Sequence, residues 1–454
     1  MPMPYMTKEP GRRLSPLVHN LYISPLAVTF ESVIIGFLVG LVTAAFRLLL
    51  DMAGTLRSRL YRLLPGLPWY WTALWIFTLV LAGFFLGWAA EKRPMIRGSG
   101  IPQVKGSLQR LMTLNWMPEL PLKFITGLAG IGAGLSLGRE GPSIQIGAYV
   151  GKGVLTVFRR PNRERKILVT AAAAAGVSAA FNAPLAGVLF VLEELQSSFS
   201  PLFISCSLGA AAAADMVAGY FFGIGPVFDF RHIGVLPLNC LPWVVALGIL
   251  CAALGDLFKR CLYCSLDLYE RFRIPQVFRP ILPLLLSVPL GFLLYDVSGG
   301  GHELIESLSL GEGPRKLLLF LLLVKVLFTA LCYGSGTSGG IFLPLLACGA
   351  ITGTILGRVL VFLDLAAEAQ ILNFMILGMA AFFTGAVNAP VTGIVLILEM
   401  SGSFNHLGSL VLVCFSSFVM IEFMASRPVY TVLLGRLTRP VKNNPGTDPP
   451  EHRG

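Results

Sequence analysis

Charged residues are few: Asp, Glu, Lys and Arg make up 13% of 454 positions, against 55% hydrophobic residues. A soluble domain carries roughly 25% charged residues, so a large soluble enzyme is not expected. The five histidines (His19, His232, His302, His406, His452) include no pair at metal-ligand spacing, and no metal or cofactor is expected. Of the eight cysteines only Cys261 and Cys264 form a C-x-x-C, with no second pair beside it, and most others lie in apolar runs as small hydrophobes. Alternating polar and apolar segments of about ten residues are missing, which argues against a transmembrane barrel. No continuous basic stripe occurs in any segment that could fold outside a membrane, so the excess of 35 basic over 24 acidic residues does not mark a nucleic-acid partner. The first 20 residues lack the short apolar region and small-residue cleavage site of a signal peptide, and the first hydrophobic segment is expected to be a retained anchor.

Long uncharged runs are present instead. Residues 63–90, 167–192, 233–255, 326–357 and 369–398 run for 28, 26, 23, 32 and 30 positions without a charge, each beyond the roughly 20 a helix needs to cross hydrocarbon. The chain therefore reads as an all-α polytopic membrane protein in a lipid bilayer. Basic residues gather at Lys8, Arg12 and Arg13, in 159–166, and at Arg427, Arg436, Arg439 and Lys442. By the positive-inside rule these segments and both termini are cytoplasmic.

The sequence is also duplicated. Residues 182–193 match 388–399 at six of twelve positions, among them Asn-Ala-Pro, a glycine and a terminal glutamate. Upstream, Lys123 pairs with Lys325, Gly138 with Gly340, Pro142 with Pro344, and Gly147-Ala148 with Gly349-Ala350. Shared Leu or Val would mean little between apolar helices, but shared Asn, Pro, Gly and Glu at fixed spacing mark a repeat. The divisions expected are a cytoplasmic segment 1–27, membrane repeats 28–230 and 231–440, and a polar cytoplasmic tail 441–454.

Three glycine-rich turns break the apolar segments: Gly98-Ser99-Gly100-Ile101-Pro102, Gly138-Arg139-Glu140-Gly141-Pro142, and the stretch from Gly334 to Gly340. Irregular backbone at membrane depth must be buried in protein or line a wet cavity. A helix starting at such a turn aims free N–H groups and its positive dipole end inward, which suits an anion. Ser99 could donate its hydroxyl to that anion or serve as a helix cap. Lys123 and Arg139 could raise the potential at an entrance, or tie down helix ends. Glu140 is the sharpest residue, because a carboxylate at the mouth of a helix in a weakly charged region is costly without a function or partner. Charged, it would compete with the anion for the same donors; protonated, it would swing away. Glu193 has a repeat counterpart in Glu399, which suggests a helix-end role, whereas the counterpart of Glu194 is Met400, leaving Glu194 for proton transfer on the cytoplasmic side.

The three loops, counting Gly340-Ile341-Phe342-Leu343-Pro344 as the third, the duplicated Asn-Ala-Pro segments and a late Tyr430 resemble the CLC chloride channel and transporter family, in order from about residue 28 to 440. The resemblance implies two inverted-topology repeats of broken, tilted helices and a homodimer with one pathway per subunit. It implies that the hydroxyls of Ser99 and Tyr430 and the N–H groups of Ile341 and Phe342 hold chloride. In its light Glu140 is the gate and external proton acceptor and Glu194 the internal proton-transfer residue. The Ser99 and Pro142 loops and the tyrosine look unlike the fluoride-exporting branch, and serine at 99 is similar to chloride-preferring rather than nitrate-preferring members. Lys105 departs from some bacterial exchangers, which have an acid there. Only 24 residues follow Tyr430, too few for the CBS pair of many eukaryotic members. The expectation is thus a proton-coupled chloride antiporter of a prokaryotic plasma (inner) membrane, with a passive voltage- or pH-gated chloride channel of the same fold as the alternative. A non-enzymatic role is expected; the rival, an intramembrane hydrolase, would have only His406 beside Ser403 and Ser409 to work with.

Overall fold

The computed structural model describes residues 25–438 apart from 159–161, 197–199 and 312–316. The basic residues Lys8, Arg12, Arg13, Arg159, Arg160, Arg439 and Lys442, most of the segment 1–27 and the tail 441–454 lie outside the described residues.

Seventeen α-helices and no strand occur among the described residues; the extended pairing is limited to two isolated bridges. In chain order the first eight are α1 (Pro25–Leu63), α2 (Trp69–Lys92), α3 (Ile101–Leu108), α4 (Trp116–Gly132), α5 (Glu140–Val157), α6 (Asn162–Phe181), α7 (Pro184–Phe190) and α8 (Pro201–Phe222). The second eight repeat that order: α9 (Leu241–Arg271), α10 (Ile281–Leu293), α11 (His302–Ser309), α12 (Leu318–Gly334), α13 (Phe342–Phe362), α14 (Ile371–Val387), α15 (Pro390–Ser401) and α16 (Leu407–Phe423). α17 (Val429–Leu437) stands outside the repeat and carries Tyr430. Counted with the short 3-10 turns that adjoin some of them, α1, α2, α8, α9, α13, α14 and α16 are long and apolar enough to cross a membrane.

Three of the five uncharged runs are not single helices. The run 167–192 breaks at Asn182 and the run 369–398 at Asn388, both in the left-handed region with φ of 51° and 63°. Asparagine tolerates that conformation better than most residues. Pro184 and Pro390 then open the next helix at its first position, where a missing N–H does no harm. The run 326–357 breaks between α12 and α13 at the glycine-rich turn.

Equivalent residues of the two halves touch each other reciprocally. Gly138 N–H donates to the Gly340 carbonyl at 2.7 Å and Gly340 N–H returns the bond at 2.8 Å, an antiparallel exchange between counterparts. Reciprocal contact between counterparts is the mark of a two-fold relation, and the opposed chain directions place that axis across the chains, which inverts one repeat against the other. The same exchange recurs at the duplicated segments. Glu193 Oε2 accepts the Thr392 N–H at 2.9 Å and its hydroxyl at 2.6 Å, at the start of α15. Glu399 accepts the N–H groups of Leu185 at 3.0 Å and Ala186 at 2.7 Å, at the start of α7. Each repeat thus caps a helix of the other with a carboxylate, the helix-end role read from the sequence.

A glutamine at 399 keeps one acceptor where two N–H groups need two. Glu399→Gln is expected to lower stability by about 1–3 kcal/mol, seen as a lower unfolding midpoint of the purified protein in detergent. An unchanged midpoint would count against the capping role.

Close approach of backbones completes the packing. A Cβ on Gly147 would lie 2.3 Å from the Ala172 carbonyl oxygen, and one on its counterpart Gly349 would lie 2.3 Å from that of Gly378. These contacts press α5 on α6 and α13 on α14, using small residues as membrane helix pairs do.

Candidate functional site

The three broken turns meet at one place. Gly339 N–H donates to the Gly98 carbonyl at 3.0 Å, and Gly138 and Gly340 exchange their bonds, so the third turn is sewn to the other two. The first and second turns touch where a Cβ on Gly141 would come within 2.8 Å of Ser99 Cβ. Gly98 and Gly100 have φ of +61° and +88°, which side-chain-bearing residues rarely adopt, and this lets α3 start abruptly behind Ser99.

Glu140 is the first residue of α5, with Arg139 at the N-cap position, and is 1% exposed. Neither carboxylate oxygen has a side-chain hydrogen-bond partner among the described residues; the donors it faces are the backbone N–H groups of Glu140 itself and of Leu343, at the starts of two helices. Its Oε2 lies 2.2 Å from where a Cβ on Gly138 would stand, and Leu343 Cβ lies 3.3 Å from the same point. The acid therefore folds back over Gly138 toward the first turn of α13, the N-terminus of the opposite repeat. It forms no salt bridge with Arg139, whose Nη1 donates to Asp51 Oδ1 at 2.9 Å instead.

Ser99 is fully buried. Its Oγ accepts the N–H of Ile101 at 3.3 Å, leaving the O–H to point elsewhere. Ile341 holds the N-cap position of α13 and Phe342 follows it, both fully buried. The Phe342 ring packs on Phe181, Phe190 and Phe383 at 4.9, 5.8 and 4.6 Å. Phe190 meets Tyr430 edge-on at 6.4 Å, so α17 joins the same aromatic cluster. The Tyr430 hydroxyl is buried without a hydrogen-bond partner among the described residues. The site thus gathers two hydroxyls and two helix N-termini, with partial positive charge and no full cation among Ser99, Ile341, Phe342 and Tyr430.

Arg139 lines a cavity of about 250 Å³ together with Asp51, Arg57, His302 and Glu303. Lys123 does not line an opening. It is fully buried, and its Nζ donates to the carbonyls of Ile96 at 3.0 Å and Gly98 at 2.7 Å, behind the first turn. Lys325 does the same for Val297 and Gly299, at 2.8 and 2.9 Å. The entrance reading of Lys123 is corrected accordingly: the ammonium is occupied by backbone oxygens that the broken helix leaves unpaired, and its repeat counterpart shows the arrangement to be part of the scaffold.

Glu194 lies on the turn of π-helix that follows α7, and is 5% exposed. Lys105 Nζ donates to its Oε1 at 2.8 Å and to Thr431 Oγ1 at 3.0 Å. Lys105 is the residue whose part the sequence did not reveal. It and Glu194 lie 89 positions apart, and only the packing of α3 against α17 and the π-helical turn brings them together. Tyr333 is a second such residue: its hydroxyl stands 3.0 Å from where a Cβ on Gly98 would be. His406 and Ser403 do meet, Oγ to Nδ1 at 2.8 Å, but within one turn at the start of α16. His406 Nε2 is buried without a partner among the described residues, so no carboxylate orients the ring as a hydrolase would require.

A multi-span helical bundle of two inverted repeats, whose broken helices turn their N-termini on a buried carboxylate, is an anion-transport fold. Residues 82–422 match the family described as voltage gated chloride channel, and the chain belongs to that family, the CLC channels and transporters. It is 35% identical over 424 residues to the H(+)/Cl(-) exchange transporters ClcA of Salmonella schwarzengrund and Salmonella agona, covering 91% of this chain and 89% of each relative. Among solved structures it is similar to a slow cyanobacterial Cl-/H+ antiporter, at 29% identity and a TM-score of 0.84, covering 90% of this chain and 98% of that one. A CLC-type fluoride/proton antiporter shares the fold at 24% identity and a TM-score of 0.75, with 87% and 95% of the two chains covered.

Proposed function

We propose that this chain exchanges chloride for protons across the membrane. The observation that carries the reading is the Glu140 carboxylate, buried without a side-chain hydrogen-bond partner where α5 begins and the first turn of α13 comes close. Chloride occupies the space framed by the Ser99 and Tyr430 hydroxyls and the N–H groups of Ile341 and Phe342. Partial charges and hydroxyl donors give binding strong enough to enter and weak enough to leave. Glu140 competes for the helix ends when charged, takes a proton from outside, and leaves them to chloride when neutral. Glu194 supplies the proton from the other side, and Arg139 raises the potential in the cavity outside Glu140. Lys123 supports the site from behind by holding the first turn.

The protein is a multi-span member of a prokaryotic plasma membrane with both termini in the cytoplasm, arranged as repeats 28–230 and 231–440. It works as a homodimer in which each subunit has its own pathway. The bacterial relatives and the basic clusters support this placement.

The test is reconstitution into liposomes with an imposed chloride gradient. Protons are expected to move uphill as chloride moves down. Chloride flux without proton movement would sink the exchange reading in favour of a passive channel of the same fold. One observation favours that second reading: the ion pair to Lys105 holds Glu194 and opposes its proton exchange.

A further inference from the structure

A second cavity lies away from the meeting point of the three turns, at the end of the bundle where α3 stops and α6 starts. It has a volume of about 410 Å³ and is lined by Arg110, Lys152, Arg165 and Lys166 with the hydroxyls of Ser107 and Thr113; no carboxylate among the described residues lines it. The four cations come from three places: the turn after α3, the later part of α5, and the first turn of α6. None of the four has an ion-pair partner among the described residues, and Arg165 Nε is buried with no hydrogen-bond acceptor.

The positive-inside rule accounts for basic residues along a membrane surface, but not for their convergence on one concavity. Like charges gathered without a counter-charge repel one another. Arg110 adds to the cost, since it sits at φ 62°, a conformation uncommon for a long side chain. Such an arrangement is stable once an anion fills it. The volume lies in the range of small-ligand sites, roughly 300–1,000 Å³, far above the needs of a halide. Two arginine forks and two ammonium groups match an oxyanion with several acceptor oxygens.

We propose that this cavity binds a phosphate group, presented either by the headgroup of an anionic phospholipid or as a free phosphate anion. Exposed Leu111 and Phe158, next to Arg110 and one to two turns beyond Lys152, offer apolar surface to the chains of a lipid. The cavity also borders the end of α3 at Ser107 and Leu108, and α3 carries Lys105, the partner of Glu194. An occupant would fix the helix that holds the internal acid. The site depends on this geometry alone and not on what the protein transports.

Native mass spectrometry of protein extracted from vesicles of phosphatidylcholine with phosphatidylglycerol is the first arm. Retained phosphatidylglycerol is expected, falling about tenfold in the triple variant Arg110→Gln/Lys152→Gln/Arg165→Gln. The second arm adds inorganic phosphate to protein in neutral detergent and reads a saturable rise in unfolding temperature, absent from the triple variant and from the single variant Lys152→Gln. Lipid retention assigns the site to a headgroup. A phosphate response without lipid retention assigns it to the free anion. Retention and response that are absent, or that are equal in the wild type and in Lys152→Gln, overturn the proposal. The single variant keeps the test decisive if the triple one does not fold.

Discussion

Glu140→Gln is expected to abolish chloride-driven proton movement while chloride still crosses, with a chloride flux that no longer varies with pH. Proton transport should fall by on the order of a hundredfold or more, the scale on which removing a proton-transfer group acts. The reason is geometric. The wild-type carboxylate folds back over Gly138 toward the N-terminus of α13, where in the proposed site its negative charge and that of chloride would call on the same partial charges. Glutamine is nearly the same shape but neutral at every pH, so it neither competes as an anion nor carries a proton. Parallel recordings of pH and chloride in liposomes separate the two fluxes. If proton movement survives in the glutamine variant, Glu140 is not the external acceptor, whatever happens to chloride.

The parts of this site that were legible in the sequence share a cause. Glycine, proline and asparagine punctuate helices for local reasons, so the turns at Gly98, Gly138 and Gly340 and the breaks at Asn182 and Asn388 show in the residue pattern itself. The repeat showed because the residues it preserves are the ones that meet: Gly138 bonds to its own counterpart Gly340, and Glu193 and Glu399 cap each other's repeats. Uncharged length was a poorer guide, since three long runs turned out to be broken helices. What stayed hidden depends on pairs distant in the chain. Lys123 had the composition of an entrance cation and is a buried strut, because the oxygens it serves belong to a turn 25 residues away. Lys105 stood out only as a departure from the acid of some bacterial exchangers, and its pairing stayed hidden because its carboxylate partner sits on an irregular turn of the helix after the first Asn-Ala-Pro. The convergence of Arg110, Lys152, Arg165 and Lys166 was likewise invisible until three elements were placed side by side.

Glu194→Gln is expected to remove proton movement by a similar factor and to leave chloride flux in place, because Glu194 lies on the π-helical turn after α7 and not on the turns that open α3, α5 and α13. The ion pair with Lys105 makes a second variant informative. Both side chains are nearly buried, at 10% and 6% exposure, and removing one partner of such a pair costs about 3–5 kcal/mol through the charge left behind. Lys105→Met should therefore destabilise the protein more than Glu194→Gln/Lys105→Met does, since the double variant leaves no orphaned carboxylate. The effect on transport follows from the same pair. If Glu194 is the internal proton acceptor, its contact to Lys105 has to give way when it takes a proton; in Lys105→Met that contact is gone, and the proton-to-chloride ratio is expected to change while the glutamine variant stays uncoupled. Unfolding midpoints and liposome fluxes of the four proteins form a double-mutant cycle. Additive midpoints would mean that the 2.8 Å contact carries no coupling energy. Equal loss of both fluxes in Glu194→Gln would make Glu194 a structural residue and leave the internal proton route without an acceptor.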